Sequence, residues 1–150
     1  MTMRTLFKLA VASALLTGIG IGQAQAQMKP EDAIKYRKGL MQTIKYQFGP
    51  LAGFAKGDVP YGENVIKRAN ILAAIAPLQA EVFPAGSDKG DTKAKPEAWT
   101  KEADFKAAIK AFADAAAKLP EAAKSADALK AAVNDVGKTC KGCHDPFRAE

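Results

Sequence analysis

Histidine and cysteine are scarce in this chain of 150 residues: one of the former, His144, and two of the latter, Cys140 and Cys143. That scarcity argues against a structural zinc site built from these side chains, because such a site takes four ligands. Alternation of apolar and polar residues over strand length is missing, so no sheet is expected. A thioredoxin-like dithiol would lack the βαβ setting it requires. Charge of one sign never accumulates either. The 22 basic and 16 acidic residues leave a net +6, too mild and too dispersed for nucleic acid. The lysine excess reads as a solvated helical surface, or as a docking face for an acidic partner protein.

The one long apolar run, Leu9 to Ile21, is shorter than a bilayer crossing requires and is interrupted by Gly18 and Gly20. Arg4 and Lys8 precede it, and Ala24-Gln25-Ala26 offers a small-x-small cleavage site. Residues 1–26 are therefore expected to be a secretory signal peptide. The mature chain would begin near Gln27, be exported to the periplasm in a bacterium, and not be membrane-bound. Arg4 and Lys8 would leave with the signal, lowering the net charge by two. Residues 27–150 suffice for one domain with a real core.

Along that domain the apolar period stays near 3.6, which predicts an all-α fold. A first helix starts at Pro30 with Glu31 and Asp32 at its positive end. It turns Ile34, Met41, Ile44, Phe48 and Leu51 inward, and Gly49-Pro50 is expected to kink or end it. A second, Asn64 to Ala80, buries Val65, Ile66, Ala69, Leu72, Ile75 and Ala76. The third follows Thr100 as N-cap and repeats Phe105, Ala108, Ile109, Phe112 and Leu119. The fourth, from Ser125, carries Leu129, Val133, Val136, Cys140, Cys143 and Phe147. Between the second and third lies Glu81 to Trp99, a length without periodicity that suits a crossover or a site.

Cys140, Lys141, Gly142, Cys143 and His144 spell C-x-x-C-H, the spacing of covalent c-type haem attachment. Two thiols add across the two vinyl groups of one porphyrin only at a fixed separation, and the adjacent histidine then reaches the iron. On a helix all three positions share one face and continue the core stripe of the last helix, which puts the cofactor inside the bundle. Competing readings of the same residues are a dithiol, a plain disulfide across two residues, and a metal site.

This combination resembles the cytochrome c′ family, the class II c-type cytochromes, over essentially the whole mature chain. Lys29-Pro30-Glu31-Asp32-Ala33-Ile34-Lys35-Tyr36-Arg37 is similar to the family's opening helix. Gly86-Ser87-Asp88-Lys89-Gly90-Asp91 is similar to its loop between helices two and three, and Val136-Gly137 through Arg148 to its haem-binding end. The resemblance implies an antiparallel four-helix bundle with one haem c in its core, bound through Cys140 and Cys143, with His144 as the only protein ligand of the iron.

It also implies that an apolar side chain of the first helix covers the opposite axial position. By register that is Met41, with Leu40 the alternative one residue away. Arg37, followed by Lys38, would lie near the propionates; Asp91 would stand at the haem edge; Arg148 would lie against the proximal histidine. Read without the family, Arg37 is a solvent-facing helix charge, Asp91 a turn residue, and Arg148 a cation at the negative end of a helix. The function so implied is binding of diatomic gases, nitric oxide and carbon monoxide, and/or single-electron transfer to a partner protein, by a homodimer. No group for proton transfer or nucleophilic chemistry is evident at the distal face, so no enzyme is expected. Two readings compete: a low-spin electron carrier with Met41 as the sixth ligand, since thioether is a good haem ligand, and an exported thiol-disulfide protein.

Overall fold

A computed structural model describes residues 28–150; the expected signal peptide, 1–26, lies outside the described residues. Four long helices make the bundle: α1 (Pro30–Lys56), α2 (Glu63–Ile75), α4 (Glu102–Ala117) and α6 (Ala126–Phe147). Two single helical turns, α3 (Glu97–Thr100) and α5 (Leu119–Ala122), lead into α4 and α6. A 3-10 segment, Ala76–Glu81, continues α2. The described residues contain no strand, and none of their helices is long and apolar enough to cross a membrane.

Pro50 does not end α1. The helix runs on to Gly57, whose φ of 94° suits a residue without Cβ, and Asp58 N–H closes the end on the carbonyl of Gly53 at 2.9 Å. Proline leaves the carbonyl of Tyr46, four residues back, without its amide. Arg68 of α2 donates Nη1 to that same carbonyl at 3.4 Å. Burial of Leu51, Phe54 and Ala55 in the bundle supplies the drive to continue.

The second helix ends five residues short of the expected Ala80. Pro77 has no N–H to offer the carbonyl of Ala73, and the chain tightens into the 3-10 segment. Its three-residue period turns Ala76, Gln79 and Val82 inward, all buried. Thr100 is not the cap of α4: its hydroxyl donates to the carbonyl of Pro96, which precedes α3, and α4 starts after Lys101 with no side-chain cap. Ser125 does cap α6, accepting from Ala128 N–H at 3.3 Å.

Apolar burial falls into two clusters. The larger joins Leu40, Leu51, Leu72, Phe112, Leu119, Leu129 and their neighbours at the centre of the bundle. The smaller gathers Ala98, Phe105, Ile109 and Phe147. Phe105 stands edge-on between Phe83 at 4.6 Å and Phe147 at 5.1 Å.

The loop after the 3-10 segment reaches both ends of the described chain. Gly86 and Gly90 take positive φ, 82° and 106°. A Cβ at either would stand 3.5 Å from α1, against Pro30 in the first case and Ile34 in the second. A few residues later Ala94 pairs with Arg148 as an isolated antiparallel bridge. Lys95 N–H bonds the carbonyl of Phe147 at 2.9 Å, and Ala149 N–H that of Lys93 at 2.8 Å.

Candidate functional site

The site is a cavity of about 550 Å³, within the range of small-molecule and cofactor pockets. From α6 it takes Cys140, Cys143 and His144, and from α1 Arg37, Lys38, Met41 and Phe48. Gln79, Phe83, Asp91, Phe105 and Arg148 complete much of the wall. Every site residue expected from the sequence therefore borders one space.

Cys140 and Cys143, three apart on α6, follow the buried positions Leu129, Val133 and Val136 along the same face. Both are free thiols and half-buried. Cys140 packs against the larger apolar cluster and Cys143 against the smaller, so the pair spans the seam between them. Burial pushes both thiols above their ordinary pKa, and for Cys140 the neighbouring Cys143 adds to the effect. For His144 burial lowers the pKa, Arg148 lowers it further, and Asp145 partly opposes them. The imidazole is accordingly neutral near pH 7, the form in which nitrogen donates a lone pair to a metal.

Arg148 keeps its place one turn beyond His144, although its own backbone leaves the helix. The helix ends at Phe147, and Arg148 is extended, with φ −123° and ψ 132°. Its N–H caps the carbonyl of His144 at 3.0 Å while its backbone pairs with Ala94.

Arg37 is no solvent-facing charge: only 4% of it is exposed. Nη1 donates to the Val82 carbonyl and the Ser87 hydroxyl, each at 3.1 Å, and Nη2 to the Ser87 carbonyl and the Thr92 hydroxyl, each at 2.8 Å. The guanidinium also lies 4.7 Å from the ring centre of Phe83 and 5.5 Å from that of Trp99. A guanidinium has five N–H donors. Four are committed to the crossover loop, so the parallel fork that suits a carboxylate is taken and only Nε–H remains. Lys38, the next residue, reaches Asp91 at 2.6 Å.

Met41 is half-buried on the cavity wall, whereas Leu40 packs into the larger cluster. The Met41 sulfur lies 3.9 Å from Nε2 of Gln79. Gln79 went unnoticed in the sequence because the 3.6 period was carried through to Ala80. Pro77 was the available signal for a change of register.

No group of three or more His, Cys, Asp or Glu side chains that could hold a bare metal ion occurs among the described residues. One imidazole beside two thiols, in a cavity walled by Ile44, Phe48, Phe83, Phe105, Phe112 and Phe147, instead fits a flat apolar macrocycle that brings its own metal. Lys38, Lys93 and Arg148 line the same space and suit the carboxylates of such a group.

The family model "Cytochrome C'" matches residues 32–148. A cytochrome c′ of Rubrivivax gelatinosus is 41% identical over 124 residues, covering 80% of this chain and 96% of the relative. The solved structure of the cytochrome c′ from that organism superposes with a TM-score of 0.78 at 39% identity, covering 81% of this chain and 98% of that one. Variants of the Alcaligenes xylosoxidans cytochrome c′, solved with carbon monoxide bound and as a nitric oxide complex, each give 0.75 at 37% identity, with 81% and 98% covered.

Proposed function

The chain belongs to the cytochrome c′ family, and from that membership we propose that it is an exported haem protein that holds diatomic gases, nitric oxide and carbon monoxide, at a five-coordinate iron, with single-electron transfer as a second use. Its members carry one covalent haem c. The observation that carries the reading is the meeting of Cys140, Cys143, His144 and Met41 on one cavity. When bound, the haem supplies an iron that can take a diatomic ligand and change oxidation state by one electron.

The residues of this chain do the rest. Cys140 and Cys143 would tether the macrocycle from α6, and His144, whose pKa burial lowers, would offer its lone pair to the iron. Met41, on the cavity wall, would cover the other axial side as a steric lid. Its sulfur already faces the Gln79 amide, which favours packing over ligation. Lys38, Lys93 and Arg148, which line the cavity, would hold the carboxylates at the rim. Arg37 acts at one remove, fixing the loop that carries Asp91 and Thr92. As a member of this family it is read as a haem carrier and gas binder rather than an enzyme. Family likeness extends the proposal to a periplasmic homodimer joined through α1 and α2.

An optical spectrum of the purified protein, oxidised and reduced, tests this directly. The reduced form is expected to be high-spin and to shift on carbon monoxide, and the colour should stay with the chain through acidified organic extraction. A low-spin spectrum indifferent to carbon monoxide would select the Met41-ligated electron carrier. A colourless protein would select the thiol-disulfide reading.

A further inference from the structure

Among the residues bordering the cavity, Gln79 is a neutral amide with only 7% of its surface exposed, set beside apolar and aromatic side chains. The geometry of its segment holds it there. Ala76, Gln79 and Val82 form the buried edge of a 3-10 turn, and the first and last are wholly inaccessible to solvent. The backbone of that turn directs the Gln79 side chain inward.

A glutamine amide has two N–H donors and a carbonyl acceptor. Among the described residues the side-chain partner of Gln79 is the Met41 sulfur at 3.9 Å, and a thioether is a weak acceptor. A buried strong donor facing a weak acceptor is under-used, and buried amides are normally satisfied. The contact is with the same side chain that covers the distal space in the reading above. Any ligand that displaces Met41 therefore meets the Gln79 amide.

We propose that Gln79 is the specificity-determining residue of the distal space: when the Met41 side chain gives way, the amide transfers its N–H from the thioether to the outer atom of the entering diatomic ligand. This rests on the gas-binding reading and deepens it. A neutral donor favours a ligand whose outer atom carries negative charge, so nitric oxide and dioxygen gain more than carbon monoxide, and an apolar lid alone would not distinguish them. Met41 and Gln79 thus divide the work: the first sets how readily a ligand enters, the second how long it stays.

The test uses the holoprotein and its Gln79→Leu and Gln79→Met variants, with carbon monoxide and nitric oxide as probes. The C–O stretching frequency should rise in both variants as the donor is lost. Nitric oxide should dissociate about three- to tenfold faster, the worth of one hydrogen bond, with a smaller change for carbon monoxide. Chains prepared without haem should melt no lower with Leu or Met at 79 than with Gln. Unchanged stretch and unchanged dissociation in both variants would overturn the inference, as would a haem-free variant that melts lower while the stretch stays fixed, since Gln79 would then serve the fold alone. Failure of the unmodified holoprotein to bind carbon monoxide would instead overturn the gas-binding reading beneath it.

Discussion

Lys38 of α1 and Asp91 of the crossover loop meet at 2.6 Å on the border of the cavity, both side chains largely in solvent. The hydrogen bond from Lys38, and its charge, hold the Asp91 carboxyl below its ordinary range. A carboxyl whose pKa is depressed by folding stabilises the fold above its unfolded value, and that contribution is lost as pH falls through the folded one. Asp91→Asn should therefore melt slightly below the unmodified protein at neutral pH. The difference should vanish in acid and shrink in high salt. Melting curves at several pH values and two ionic strengths check this, and a gap that persists in acid would assign Asp91 another role.

Arg37 carries a larger share of the loop's anchorage. Arg37→Lys keeps the charge, but its single ammonium nitrogen cannot serve the four acceptors that the two terminal nitrogens of arginine reach. The expected loss is about 2–4 kcal/mol, from buried bonds to a charged donor. Thermal melting should register it, and trypsin should cut faster at Lys89 and Lys93. A Lys variant as stable and as resistant as the original would show that the loop is held by its other contacts.

How much of this was legible in the sequence follows from the physics of each element. The four stripes were readable because burial repeats at helical spacing: Val133, Val136, Cys140 and Cys143 lie on one face of α6 as expected. The C-x-x-C-H spacing is local chemistry and needed no fold at all. That Pro50 would not end α1 was not legible, because the group that meets the orphaned carbonyl, Arg68, lies on another helix. Thr100 was misread because a hydroxyl can bond backward to Pro96 as readily as forward. Arg37 could be flagged as a site residue but not as a buried hub, since three of its acceptors are backbone carbonyls and hydroxyls forty-five to fifty residues away along the chain. Gln79 was hidden by a change of helical period that only its tertiary setting completes.

Met41 separates the two leading readings of the haem site. With Met41 as a lid, Met41→Ala should leave the reduced protein high-spin and admit carbon monoxide faster, because what hinders entry is contact. Stopped-flow mixing and an optical spectrum measure both. A low-spin spectrum in the unmodified protein that the substitution converts to high-spin would make Met41 a ligand.

The loop that runs from Val82 to Pro96 touches the first turns of α1 through Gly86, Gly90 and Asp91, and the last residues of the chain through Lys93, Ala94 and Lys95. Beginning and end of the described chain are thus neighbours by way of a third segment, and the bundle is closed like a ring with one clasp. Its connectivity is then interchangeable with its order. A chain rejoined by a short linker between residues 150 and 28, and opened instead at the exposed turn around Gly57 and Asp58, would present the same clasp and the same cavity.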